Sequence, residues 1–532
     1  MSQDKQPIII FPENSQRTMG RDAQRNNILA ARIVADTVKT TLGPKGMDKM
    51  LVDALGNVIV TNDGVTILEE MQIEHPAAKM LVEIARTQDQ EVGDGTTTVA
   101  MLAGKLLENA EILLDKRIHP TVITKGYRLA AEKSQEYLKR LAIDVKPEQE
   151  DILKQIAMTA MTGKGAEIVK EKFADLIVRA CKSIHPSSDL SNIKIEKAKG
   201  SGVENTELVE GIVLDKERVN IEMPSRVENA RIALVDFALE IKTPETETKI
   251  SVSSPEQLQS FIEQEERILK NMVEKIKSSQ ANVIFCQKGI DDIAQYYLAK
   301  SGIYACRRIA KSDMEKLARA TSGKIVSNLN ELSQEQLGKA KLVEEVKRGD
   351  SSYTYISGCS NPRALTILLH GGTEHVIDEM ERAIKDGLGV VSASLKDGKI
   401  VPGGGAIEVE LAKELRKFSQ SLGGREQLAV EQFASALETI PVTLAENAGL
   451  DPIDVLTELR ARHEHGEKNV GLNLLTNMIE DTFEAGIVEP LRIKTQAINS
   501  ASEVAMMILR IDDVIASGGN KPQHQGYNPD ME

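Results

Sequence analysis

A chain of 532 residues with a formal net charge of −14 is too long for a single core and repels nucleic acids and anionic membrane surfaces. Aromatics make up 3% and tryptophan is absent, so the cores must be built from Ile, Leu, Val, Ala and Met, which suits helix packing. Cys181, Cys286, Cys306 and Cys359 lack metal-ligand or redox spacing and read as reduced structural thiols of a cytoplasmic protein; the polar start carries no secretion signal, and no apolar run approaches the roughly 18 residues of a membrane span.

Pro7 to Phe11 reads as a short strand. Asp22 to Thr40 reads as a helix, with Ile28, Leu29, Ile33, Val34 and Val38 recurring at three and four. Leu42-Gly43-Pro44-Lys45-Gly46 ends it: Gly43 stops the helix, Pro44 stiffens the turn and Lys45 adds a cation. Taken alone, this is a helix-terminating loop. Val58 to Val60 reads as a strand, Thr61-Asn62-Asp63-Gly64 as a tight turn and Val65 to Leu68 as a renewed apolar segment, so Asp63 reads first as turn chemistry. After a helix from Ala77 to Asp89 comes Glu91-Val92-Gly93-Asp94-Gly95-Thr96-Thr97-Thr98, at the head of an apolar helix from Val99 to Lys116. Gly93 and Gly95 permit a sharp turn and close approach to a ligand. The threonines are candidates for capping the helix, whose first N–H groups form an anion site. Asp94 beside those donors would repel a bare phosphate, so a hard cation such as Mg²⁺ is the sensible third partner. The plainer alternative is a capped helix after a Gly-Asp-Gly turn. Pro120 to Leu141 is again helical.

Beyond Pro147 the helix Asp151 to Met161 is interrupted by Thr162-Gly163-Lys164-Gly165-Ala166-Glu167, whose spacing is not that of a Walker A loop. Taken alone, Lys164 is a solvated lysine in a glycine turn. From Gly211 to Gly358 short apolar runs at Ile232–Val235, Val283–Cys286, Ile303–Cys306 and Lys324–Val326 alternate with helices Asp291–Lys300 and Asp313–Thr321, which describes a small inserted α/β domain. Within it a polar stretch, Glu240 to Ser253, precedes an amphipathic helix with Ser254 as N-cap, Pro255 at its start and Gln257 completing a capping box. Leu258, Phe261, Ile262, Leu269, Met272, Val273 and Ile276 form its stripe. Arg363 to Leu369 is a strand, and Gly371-Gly372-Thr373 leads into a helix from Glu374 to Leu388. That helix carries Asp386 near its C-terminus, where the dipole disfavours a carboxylate. Gly403-Gly404-Gly405 opens a helix from Ala406 to Phe418, helices continue to Ser502, and His463 and His465 fall in a charged, loop-like stretch. The polar tail Gly518 to Glu532 reads as disordered. The simplest topology is nested: a helical base from both ends, a connector crossed twice, and an α/β tip in the middle.

Gly93-Asp94-Gly95-Thr96-Thr97-Thr98, with Leu42-Gly43-Pro44-Lys45-Gly46 and Asn62-Asp63-Gly64 upstream, resembles the group II chaperonins, the archaeal thermosome and its eukaryotic cytosolic relatives, and the likeness runs from about Gln16 to Ser517. The resemblance implies a multidomain α + α/β chaperonin fold. Residues 1–146 and 400–532 would form an all-helical equatorial domain, 147–213 and 364–399 a small intermediate domain, and 214–363 an α/β apical domain with a helical lid protrusion at about 242–278. It implies an ATPase that uses ATP and Mg²⁺, a stacked double ring of identical or paralogous subunits, and non-native polypeptide clients, with no nucleic-acid or membrane partner. Carried over by position, Leu42, Gly43, Pro44, Gly46, Gly95, Thr96, Thr97 and Thr98 would cradle phosphates and Asp94 would hold Mg²⁺. Lys164 would lie near the γ-phosphate, and Asp63 and Asp386 would position the attacking water. Gly404 would lie by the ribose, Glu489 would accept a sugar hydroxyl, and Gly471 and Asn473 would belong to a base-contacting loop. Because Asp386 belongs to the connector, hydrolysis would require that connector to close onto the nucleotide. Pro7–Phe11 and Arg510–Ile515 would be edge strands completed by neighbours. The tail departs from the Gly/Met repeats common in the family. Two readings of other classes stay open at this point: a metabolic phosphotransferase, which lacks support from any Walker or kinase motif, and a passive helical scaffold whose glycine motifs are only turns.

Overall fold

The computed structural model describes residues 16–52, 56–184, 190–241, 255–348, 351–359 and 364–516. The chain divides into two compact units, one from residues 1–144 and 399–532 and one from 145–398.

The first unit is built on the helix Thr96–Asp115, which is apolar almost all round and therefore central. Its Val99, Leu102, Leu106, Leu107, Ala110 and Leu113 are buried among the helices Gly20–Lys39, Pro76–Val92, Pro120–Leu141, Glu426–Leu437 and Leu491–Leu509. With few aromatics available, small residues set the helix spacing. A Cβ at Gly104 would lie 2.3 Å from that of Ala35, and one at Gly126 would lie 2.5 Å from that of Ala429. Tyr127 packs edge-on against Phe433 with centroids 5.6 Å apart, and its hydroxyl donates to the Leu106 carbonyl at 2.7 Å. In Gly20–Lys39 the inner face consists of Ala23, Ile28, Ala31, Val34, Ala35 and Val38, whereas Leu29 and Ile33, expected in the stripe, are exposed. Alanines are weak markers of a buried face, so the period of the larger residues alone points the stripe away from the true inner face.

Short strands edge this helical unit. Lys399–Pro402 lies between Ile143–Asp144 and Val488–Pro490, and Val470–Asn473 pairs with Met478–Asp481, so Gly471 and Asn473 belong to a hairpin strand and not to a loop. Strands of two to four residues leave no alternation to read. Lys49–Val52 and Val58–Thr61 form a second hairpin. Asp513–Ala516 pairs antiparallel with Gln16–Met19 in a two-stranded sheet, so one edge of this strand is taken within its own chain. Pro7–Phe11 and the tail after Ala516 lie outside the described residues.

The second unit holds a seven-stranded sheet. Tyr304–Cys306, Val283–Cys286 and Arg226–Val235 are parallel. Gly338–Arg348, Ser351–Cys359 and Gly211–Leu214 continue it antiparallel, and Ile325–Val326 adds to the end of Arg226–Val235. A separate three-stranded sheet joins Ile193–Lys199, Leu365–Gly371 and Glu207–Val209. The helix Pro255–Ser278 covers one face of the large sheet with Leu269, Val273 and Ile276, and Met272 packs partly buried beside them. Phe261, Ile262 and Ile268, towards its N-terminus, are exposed. Ser254 and residues 242–253 lie outside the described residues. All four cysteines are free; burial pushes the Cys181 and Cys306 thiols up to about 12 and those of Cys286 and Cys359 to about 11, which keeps them protonated and unreactive.

Candidate functional site

Two helix starts face each other in the first unit. Asp63 is not in a hairpin turn; it caps the helix Gly64–Glu70, and its Oδ2 accepts from the Thr66 N–H at 3.1 Å and the Thr66 hydroxyl at 2.6 Å. Its Oδ1 receives the Thr96 hydroxyl at 3.4 Å, which joins it to the start of Thr96–Asp115. A Cβ at Gly64 would meet Thr97 Oγ1 at 2.5 Å, so only glycine permits this approach. The cap of the second helix is Gly95, with φ +84°, and the three threonines fill the first turn instead of capping it. Gly95 brings no side chain to its own helix, so the first-turn N–H groups of Thr96, Thr97 and Thr98 receive no side-chain cap from it. The preceding loop is tied down by Gln88, fully buried, whose amide donates to the Asp94 carbonyl at 2.9 Å.

The loop after Gly20–Lys39 is also held in place. Thr41 Oγ1 lies 3.4 Å from Thr97 Oγ1, and Asn447 donates to the Leu42 carbonyl at 2.9 Å. Lys45 donates to Asn477 at 2.9 Å. Gly43 has φ +81° and is pressed against Leu444. The Gly46 N–H donates to the Gly43 carbonyl at 2.9 Å, so Gly46 shapes the turn that contains Pro44.

The glycine triplet sits on the same unit. Gly404, with φ +64°, accepts at its carbonyl from the Leu472 N–H at 2.8 Å, and a Cβ at Gly471 would lie 2.9 Å from that same carbonyl oxygen. Asn473 is buried, its amide donating to Glu480 at 2.6 Å and its oxygen accepting from the Leu475 N–H at 2.9 Å. These bonds occupy it within the hairpin. Glu489 places Oε1 2.9 Å from the Cβ position of Gly403 and Oε2 2.7 Å from the Lys494 ammonium. Burial pushes the Glu489 carboxyl up; Lys494 opposes this, while Glu408 and Asp94 add to it. Ile493, beside Lys494, packs at 2.9 Å against the Cβ position of Gly95, so the triplet and the Asp94 loop meet across residues 489–494.

Lys164 and Asp386 belong to the second unit, where they form an ion pair at 2.5 Å with side chains 19% and 12% exposed. Lys164 is therefore no solvated turn lysine. Asp386 does not lie near a helix end either: its helix runs Glu374–Asp397, so the helix dipole does not disfavour its carboxylate. Val390, Val391 and Leu395 carry the apolar period on past Leu388. His463 is not in a loop but fully buried in the helix Pro452–Glu464, between Glu410 and the Val470 carbonyl, each at 2.8 Å. Among the described residues no group of three His, Cys, Asp or Glu side chains converges on one point. Mg²⁺ in nucleotide sites needs only one or two carboxylates besides phosphate and water, so the Asp94 turn beside an open helix start fits that ion.

A model of the TCP-1/cpn60 chaperonin family matches residues 34–518. The chain belongs to that chaperonin family. The thermosome subunit of Methanopyrus kandleri is 59% identical over 520 residues, covering 97% of this chain and 95% of that one. The thermosome subunit beta of Archaeoglobus fulgidus is 58% identical over 527 residues, covering 98% and 97%. Among solved structures, the open-state monomer of a group II chaperonin from Methanococcoides burtonii matches with a TM-score of 0.62 and 49% identity, covering 79% of this chain and 100% of that one. Within the chaperonins the chain falls with the group II, archaeal thermosome subunits, and its function is that of an ATP-dependent chaperonin.

Several residues that shape this chaperonin site carry no glycine signature: Thr41, Gln88, Asn447, Glu408 and Lys494. Two had a readable signal. Gln88 falls on the stripe of Leu81, Ile84, Ala85 and Val92, and Lys494 on that of Leu491, Ile493, Ala497 and Ile498, so each is a polar residue at an apolar position. A group that costs this much to bury is kept for what it holds.

Proposed function

We propose that the chain is an ATP-hydrolysing subunit of a stacked double ring, cytoplasmic, which binds non-native polypeptides and encloses them when nucleotide turnover closes a built-in lid. The observation that carries this reading is the convergence, in one unit, of an uncapped helix start beside Asp63 and Asp94 with the Gly404–Gly471 cradle and Glu489. Gly95 to Thr98 supply N–H donors for phosphate, with Leu42 to Gly46 shaping the adjoining wall, and Asp94 is the Mg²⁺ ligand. The ion, when bound, neutralises charge on the phosphate oxygens. Gly404 and Gly471 line the sugar and base end, Asn473 acts there through the hairpin it braces, and Glu489 accepts a sugar hydroxyl. Asp63, held by Thr66 and Thr96, orients water. Lys164 and Asp386 act on the γ-phosphate side: each fixes the other's position, and Asp386 is the group that deprotonates or aligns the nucleophile.

The domain assignment is part of the proposal. Residues 147–213 and 364–399 form the connector around the three-stranded sheet, 214–363 the client-binding tip, and the exposed Phe261, Ile262 and Ile268 belong to the lid. The cytoplasmic assignment is supported by four free thiols and the acidic charge, and no described helix is long and apolar enough to cross a membrane.

Sizing by light scattering with and without Mg-ATP tests the assembly. A particle many times the mass of one chain that compacts during turnover is expected. A particle indifferent to ATP would return the passive scaffold, and turnover multiplied by a small-molecule acceptor would return the phosphotransferase. Asp94→Ala should weaken Mg²⁺-dependent ATP binding; unchanged Mg²⁺ dependence would remove Asp94 from the metal.

A further inference from the structure

Lys494 stands in the first turn of Leu491–Leu509, 6% exposed, between two carboxylates from different elements. Its ammonium is 2.7 Å from Glu489 Oε2 and 2.9 Å from Glu408 Oε1. Glu408 is 2% exposed, in the first turn of Ala406–Gln420 directly after the glycine triplet; its Oε1 faces the ammonium and its Oε2 accepts no hydrogen bond. One lysine thus serves two glutamates in a buried place. Burial opposes the ammonium, but Glu408 and Glu489 outweigh it and hold it well above the ordinary lysine value. Buried ion groups of this kind add little stability over apolar packing. What this one does supply is direction: it takes one oxygen of Glu489 and turns the other towards Gly403, at 2.9 Å from that residue's Cβ position.

We infer that Lys494, with Glu408 as its anchor, is a positioning residue that aims Glu489 at the sugar of the nucleotide and so sets the preference for a ribose over a deoxyribose. Glu408 fixes the lysine from below, Lys494 fixes Glu489 Oε2, and Oε1 is left to accept hydroxyl hydrogens. A carboxyl oxygen aimed into a largely buried site penalises a ligand lacking the hydroxyl, because that acceptor is then left without its donor. The lysine touches no reacting atom. The inference rests on the nucleotide reading given above, and the test separates the two.

The affinities of the assembled full-length protein for ATP, 2′-deoxy-ATP and 3′-deoxy-ATP are measured in Mg²⁺ buffer, together with KM and kcat. The unsubstituted protein should prefer ATP to at least one deoxy form by about 10- to 100-fold, the range for a hydrogen bond to a charged group. Lys494→Met should bring that ratio close to one by weakening ATP and sparing the deoxy forms. KM should rise while kcat at saturation changes little. Lys494→Arg should keep most of the preference. If Lys494→Met does not fold with two facing carboxylates, the Glu408→Gln, Lys494→Met double variant relieves the repulsion and should still show a ratio near one. Preference retained in Lys494→Met, or in the double variant where Lys494→Met does not fold, overturns the role of Lys494 and leaves the nucleotide site standing. Equal binding of all three ligands by the unsubstituted protein overturns the sugar placement. No binding of any of them overturns the nucleotide reading and this inference with it.

Discussion

At Gly404 the backbone has φ +64° and any Cβ would lie 2.6 Å from the Leu472 carbonyl oxygen, so both conformation and space demand glycine there. Gly95 is under the same double constraint, with φ +84° and Ile493 at 2.9 Å. Motif glycines of this kind are legible in a sequence because no other residue replaces them. Asp386 is different. Nothing in its neighbourhood in the chain marks it, and its partner Lys164 comes from a loop far away in sequence. Its assigned role is in turnover, so Asp386→Ala should leave ATP affinity nearly intact and cut the steady-state hydrolysis rate by roughly 10²–10⁴, the range for a lost general base. A rate within a few-fold of normal would leave the Lys164–Asp386 pair a purely structural contact.

Glu438 shows how single elements of the first unit are joined. It lies between the helices Glu426–Leu437 and Thr439–Asn447 and receives Arg416 from Ala406–Gln420 and Arg460 from Pro452–Glu464, the latter at 2.5 and 2.7 Å. Burial alone would raise this carboxyl, but the hydrogen bonds from Arg460 and Arg416 prevail and hold it below the ordinary value of 4.5. A depressed folded pKa stabilises the fold fully above the unfolded value and loses that contribution as pH falls through the folded one. Glu438→Gln should therefore cost about 2 kcal/mol near neutral pH, an amount moderated by the partial exposure of both arginines. The gap between variant and unsubstituted protein should narrow in acid unfolding below pH 4.5. A gap of constant size at all pH values would show that the charge of Glu438 contributes nothing.

For the whole molecule, the helix Pro255–Ser278 separates two duties along its length. Leu269, Val273 and Ile276 are part of the tip's core, and Phe261, Ile262 and Ile268 are not. A large apolar stretch left in water marks an interaction surface. If neighbouring subunits meet through it over the cavity, the contact exists only in the closed ring and biases the ring towards closure. Replacing Thr246–Ile268 by a short Gly/Ser linker removes the exposed part and spares the buried one. The ring should still assemble and hydrolyse ATP, yet fail to protect a bound client from added protease in the presence of ATP. A client that stays protected would show that the lid lies elsewhere.

The sequence by itself determined the helical base, the inserted α/β region and the glycine motifs of the candidate site. Each rests on local information: apolar residues at the period of their element, and glycines where φ is positive. Tertiary structure alone decided the rest. Local pattern made Asp63 a turn residue, but contact with Thr96 across the unit shows it joining two helix starts. His463 looked like a solvated loop residue until Glu410 and the Val470 carbonyl enclosed it. Val470–Asn473 became a strand through Met478–Asp481, and Lys494 acquired its place through Glu408 and Glu489. For Asp63, for His463 beside Glu410 and for Lys494 beside Glu408 the deciding partner lies on another element far along the chain, and the cost of burying a polar group is offset by that partner, so no window of neighbouring residues contains the whole answer.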